Sequence, residues 1–448
     1  MQFIYLFISL YYGRKNPLFF LLFPIALLQG YGALIDPRTV LVAPEYFLLG
    51  KNIFKDLVII YLIFIVFVIR KKIDFKIIKN IPMKANLIYI IVLAFVTLFQ
   101  YGTEYEAIAI IRLFLYMYIG FILIVLIMST ITKEQFLKFI QVLFWINAIQ
   151  CLLYIINSSQ IYPIFYKEKL YQEIIFGNKS FYRDFYTIPI FSNFLFVLSF
   201  SLILLKNRIF NKSLVYINLI VYPFVLLYTF TRSMLIASCL ELIIILVILL
   251  KYRTARILKV FPFILALLFL GIIPYANSIF PNELSYFNNR IANAIVQGKS
   301  ESNIDIRIHY HEAAFNIVNR NQSLLFGCLL NKRFEREMDS IGAWTADSTI
   351  PFWLLYTGAI GVLFYFFYGL YFANLIRKNH YLNLNPMAIT LFALIVTSII
   401  SALFMGGQLW GSPIIFMNYA FAYYIRNNST KSKKNITESK LTKQTVEI

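Results

Sequence analysis

Charge is scarce in this chain, and acid scarcer still: Asp and Glu number 21 against 41 Lys and Arg, and the four types together make 14% of the 448 residues. A chain that is 60% hydrophobic has too little polar surface to cover a large fold in water. Cysteine and histidine are nearly absent, at three each. Cys151 and Cys239 lie inside apolar segments and Cys328 in a polar insert, so no outer pair is available for a structural disulfide. The sequence has no Cys-x-x-Cys, no His-Glu-x-x-His and no Gly-rich phosphate loop, so it implies neither a metal nor a cofactor. No internal repeat is visible, which weighs against a transporter assembled from duplicated halves.

What is present is apolar sequence in long, uninterrupted lengths. Stretches such as Asp56 to Ile69, Ala107 to Met128 and Ile350 to Phe372 are hydrophobic on every side of a helix, a pattern that suits lipid. Backbone polar groups in hydrocarbon need internal partners, so the expected fold class is all-α, in a polytopic membrane protein. About twelve spans are expected, centred near residues 26, 62, 93, 118, 147, 197, 222, 242, 266, 361, 397 and 417. They divide the chain into an N-terminal interfacial segment at 1–16, spans one to five over 17–157 and a first long extracytoplasmic loop at 158–187. Spans six to nine follow over 188–277, then a second long extracytoplasmic loop at 278–347, spans ten to twelve over 348–426 and a cytoplasmic tail at 427–448. Residues 2–12 are apolar but too few to cross as a helix, and Arg14 and Lys15 stand where a signal-peptide cleavage site would need small residues.

Net charge +20 raises nucleic acid as a partner, but the basic residues are not gathered into one patch. They concentrate in segments such as 70–84, 206–212, 251–259 and 426–443, while the alternating connections at 100–106 and 406–408 hold none. This positive-inside pattern predicts a cytoplasmic membrane protein with both termini in the cytoplasm and both polar inserts on the outer face, with membrane lipids and not nucleic acid as its surroundings.

Polar chemistry is left to those inserts and to a few charges at membrane depth. Arg232, in Thr229 to Ser233, joins spans seven and eight with no room for a loop; it either snorkels to the headgroups or faces a wet outer cavity as an anion clamp. Arg112 suits snorkelling, and Glu241 suits a structural hydrogen-bond network. Arg183 lies among Tyr182, Phe185 and Tyr186, which form either an interfacial belt or a platform for sugar rings beside a phosphate-binding cation. In the second insert a helix is expected from a cap at Asp305, with Ala314, Ile317 and Val318 as its apolar stripe. Arg307 and His311 then share a face at i and i+4, and His309 turns away. Asp347, ahead of span ten, either caps that helix or serves as a base at the membrane surface. Gly358 and Gly361 are expected to allow close helix contact within span ten.

In order, Arg183 to Pro189, Thr229 to Ser233, the Arg307 helix ending at Gly327, and Asp347-Ser348 followed by Leu354 to Gly361 resemble the O-antigen polymerase and O-antigen ligase superfamily of bacterial envelope proteins. Asp347 stands where the ligase branch is expected to carry a His, which favours the polymerase branch. Gly327-Cys328-Leu329 departs from the family's Gly-x-Gly. The resemblance implies a glycosyltransferase, without cofactor or metal, that joins undecaprenyl-pyrophosphate-linked oligosaccharide repeat units at the outer leaflet to build O-antigen or capsule polysaccharide, with a chain-length regulator as a protein partner. Arg183, Arg232 and Arg307 would then meet pyrophosphate, Tyr182 and Tyr186 the sugars, and Asp347 or His311 the acceptor proton. The rivals are an O-antigen ligase, a lipid-linked oligosaccharide flippase, which has no use for a seventy-residue outer insert, and a non-enzymatic scaffold.

Overall fold

The computed structural model describes residues 2–24, 53–73, 75, 84–101, 118–158, 171–176, 179–184, 192–229, 236–250, 285, 302–327, 349–379, 385–404, 420–422 and 424–425. Those residues are overwhelmingly helical, as an all-α chain requires, with one β-hairpin as the exception. The helices are α1 (Gln2–Gly13), α2 (Ile53–Ile69), α3 (Lys84–Tyr101), α4 (Tyr118–Met128), α5 (Lys133–Ser158) and α6 (Ser192–Leu204). They continue with α7 (Lys212–Thr229), α8 (Ile236–Leu250), α9 (Ser302–Arg320), α10 (Thr349–Asn379) and α11 (Pro386–Phe404). Expected span centres 62, 93, 118, 147, 197, 222, 242, 361 and 397 fall in helices; 26, 266 and 417 lie outside the described residues.

Side-chain caps set several helix starts. Thr132 and Gln135 form a capping box ahead of α5: the Gln135 amide N–H donates to Thr132 Oγ1 at 3.2 Å, and the Thr132 N–H donates to Gln135 Oε1 at 2.9 Å. Asn211 Oδ1 accepts from the Ser213 N–H to start α7, and Asn385 Oδ1 accepts from the Met387 N–H to start α11.

α6 is the centre of the packing. All of its residues except Asn193 and Ile203 are buried, because α5, α7 and α11 each lie against it. α10 packs on α11, and α9 on α10, so the order of contact runs from α5 and α7 through α6, α11 and α10 to α9. The outer helices are apolar on both faces. In α2, Val58, Leu62, Ile65 and Ile69 are buried, while Ile60, Phe64 and Phe67 stand exposed on the other side. Among the described residues, two helical stretches, Lys133–Leu152 and Thr357–Arg377, are long and apolar enough to cross a membrane; shorter apolar helices include α6, Lys212–Leu226 and α8.

Three features differ from the sequence expectation. The first insert holds an antiparallel hairpin, β1 (Tyr171–Phe176) paired with β2 (Lys179–Asp184), which packs on α5 and α7. The helix of the second insert begins at Ser302, so Asp305 lies inside it and does not cap it. Last, α10 is not one rod, since Gly358 has φ 66° and ψ −171° and breaks it.

Candidate functional site

The break in α10 is the junction on which the second insert is mounted. Past the end of α9 the chain turns at Gln322 and runs to Gly327, where both Gly327 (φ 77°) and Gly358 (φ 66°) adopt backbone conformations that L side chains rarely reach. The Ala359 N–H donates to the Leu324 carbonyl at 2.8 Å and the Ile360 N–H to the Leu325 carbonyl at 3.3 Å. The amides freed by the break are thus satisfied by the insert's own backbone. Tyr89 Oη donates to the Thr357 carbonyl at 2.6 Å from the other side. A Cβ on Gly327 would stand 2.7 Å from Gly358 N, Leu355 O and Thr357 N, and one on Gly358 would stand 2.6 Å from Gly327 N. Only glycine fits either place. Gly358 therefore supplies a break and a backbone junction where the sequence suggested helix packing.

Above the junction α9 lies on the first segment of α10. Tyr310, Ala313, Ala314, Ile317 and Val318 are buried with Leu355, at the 3-4 spacing of one helix face. Burying Ile317 and Val318 contributes about 1.5–3 kcal/mol each, which helps to hold a helix of mixed composition. His311 sits at the edge of that face, half-buried, and desolvation lowers its pKa below the usual 6.5. His309 is exposed. Arg307 is in the same helix one turn before His311. Asp347 lies outside the described residues, two positions before α10 begins at Thr349. Chain connectivity thus ties Asp347 to the element on which α9 rests.

Two of the remaining candidates are among the described residues. Tyr182 and Arg183 are in β2, in register with Glu173 and Gln172. Tyr186 and Arg232 lie outside the described residues, as does Arg112. The Gly177-Asn178 dipeptide between the strands is a two-residue hairpin signal that could have identified this element.

Glu241 does enter a hydrogen-bond network. It is 1% exposed, and Asn193 Nδ2 donates to both its oxygens, at 3.1 and 2.9 Å. Asn193 Oδ1 accepts from Ser238 Oγ at 3.1 Å, and Ser238 meets Tyr222 Oη at 3.2 Å. The preceding residue faces the other way: Ser192 Oγ donates to Asn147 Oδ1 at 3.0 Å, and Asn147 Nδ2 to Asn218 Oδ1 at 2.8 Å. The start of α6 therefore fastens α5, α7 and α8 through side chains inside an apolar bundle. Asn147, Asn193 and Asn218, polar residues set in apolar helices, are the sequence signal for this network.

No protein-family model matches the chain, and no curated protein is significantly similar to it.

Proposed function

We propose that this chain is a polytopic protein of about twelve spans in the bacterial cytoplasmic membrane, and that it polymerises undecaprenyl-pyrophosphate-linked oligosaccharides at the outer face. One observation supports this above the rest. Gly327 and the Leu354 to Gly361 stretch, separate motifs of the sequence resemblance, interlock through the Leu324–Ala359 and Leu325–Ile360 hydrogen bonds. A helix bearing Arg307 and His311 is thereby fixed on the element that Asp347 precedes. The apolar stripes on α2 and on the second half of α10, where Leu363 is 67% and Phe367 61% exposed, suit lipid contact.

In the proposed reaction a hydroxyl oxygen of the incoming repeat bonds to the anomeric carbon of the growing chain. The bond from that carbon to pyrophosphate breaks, the electron pair leaves with undecaprenyl pyrophosphate, and the hydroxyl proton passes to Asp347 or His311. A desolvated His311 stays neutral at neutral pH and keeps the lone pair that a base needs. Arg183, Arg232 and Arg307 counter the charge on the departing diphosphate, and Tyr182 and Tyr186 stack on sugar. The leaving group carries the activation energy, so no nucleotide is required.

Gel analysis of surface polysaccharide from a deletion strain tests the function. Products capped with a single repeat are expected. Loss of all surface glycan would assign flipping, unattached polymer would assign ligation, and an unchanged ladder would leave a scaffold.

A further inference from the structure

The turn between α6 and α7 gathers cations around a cleft that the polymerisation chemistry does not use. The cleft has a volume of about 240 Å³, with Lys206, Arg208 and Lys212 on its rim and Leu202, Val215 and Tyr216 among its apolar lining. No acidic side chain among the described residues lines it. The turn is compact. Lys206 has φ 50°, the Asn207 N–H closes back onto the Leu202 carbonyl at 2.9 Å, and Asn207 Oδ1 accepts from the Ile209 N–H at 3.1 Å. Phe210 is buried against Phe144 of α5, at 5.4 Å between ring centroids, and anchors the turn to the bundle.

Three cations on a fixed turn repel one another and gain from a shared counter-ion. An apolar strip leads away from them: Ile209, Tyr216 and Ile220 are all exposed, the last two one turn apart on α7. A ligand for this place has a compact phosphate anion at one end and hydrocarbon at the other. We propose that the α6–α7 cleft binds the phosphate headgroup of an anionic phospholipid, with an acyl chain along the Tyr216–Ile220 face of α7. The inference rests on the membrane placement above and not on the polymerase activity. In that placement the positive-inside pattern puts residues 206–212 on the cytoplasmic side, where anionic headgroups contact basic pockets.

The test uses the full-length protein in detergent, titrated with phosphatidylglycerol, phosphatidylcholine or inorganic phosphate, and read by native mass spectrometry of retained ligand and by thermal melting. Phosphatidylglycerol should be retained in preference to phosphatidylcholine and should raise Tm. The preference should fall about a hundredfold in the K206Q/R208Q/K212Q variant, at about fivefold per basic residue. Lys206→Gly guards against a folding artefact, because glycine relieves the positive φ while removing one cation; it should melt no lower than the parent and bind about fivefold more weakly. Equal retention of phosphatidylglycerol by parent and variants would overturn the proposal. Equal binding of inorganic phosphate without lipid preference would assign the cleft to a soluble anion and overturn it likewise. Neither result depends on whether the protein makes polymer.

Discussion

At Glu241 a carboxyl group is removed from water with one side-chain amide as its described donor. Replacing that donor should cost more than replacing the pair, since an unmet buried polar group bears its full desolvation penalty. Asn193→Leu is expected to lower stability by about 1–3 kcal/mol, while the Asn193→Leu/Glu241→Leu double variant recovers most of that loss. Thermal melting of the purified variants decides it, and additive losses would rule out the coupling. His311 is a half-buried titratable group of α9. Its lowered pKa means that the folded protein binds fewer protons than the unfolded chain just below pH 6.5. The His311 contribution therefore favours folding above that pH and is lost as the pH falls through the depressed value, so parent Tm should drop more steeply over that window than that of His311→Gln. If His311 is the base, its acid limb of activity lies below the ordinary histidine range. Asp347→Asn with activity retained would move the role to His311 or to the substrate itself, and wild-type chain lengths in both Arg232→Ala and Arg307→Ala would remove the diphosphate clamp.

The elements divide into those that the sequence made legible and those that it did not. The buried face of α9 was readable, because Ala314, Ile317 and Val318 recur at helical spacing and are buried in the structure. Its start was not: Asp305 resembles a cap, but the helix gains another turn at Ser302 ahead of it. The break at Gly358 was hidden for a physical reason. A glycine in an apolar helix reads equally as a place for close packing or for special backbone, and its partner, Gly327, is 31 positions away. Of the proposed site, the Arg307–His311 spacing and the turn of His309 toward solvent were legible from periodicity; their mounting on α10 was not, because it runs through backbone atoms that carry no side-chain pattern. Gly358 occupies a region of φ and ψ that is essentially glycine's alone, so Gly358→Ala should cost about 2 kcal/mol or more and loosen α9. Protease cleavage within 302–327 in proteoliposomes should rise; an unchanged cleavage rate would mean that the junction does not hold the insert.

For the molecule as a whole, the apolar exposed stripes, the buried polar fasteners at the start of α6 and the insert seated on a broken helix are parts of one proposed arrangement. In that proposal the bilayer covers the stripes, hydrogen bonds inside the bundle fix the helices where the hydrophobic effect cannot, and the outer inserts present arginines to a charged lipid. The lipid-facing part of this arrangement has its own readout. Cysteines at Leu363 and Phe367 should be shielded from water-soluble thiol reagents in vesicles, whereas one at the exposed His309 should react. The proposed activity is glycan transfer between lipid-linked repeats. Purified protein in proteoliposomes, supplied with undecaprenyl-pyrophosphate-linked repeat units alone, should produce a ladder of longer glycans and release one undecaprenyl pyrophosphate for each linkage formed; repeat units that remain unextended with their lipid intact would contradict the account.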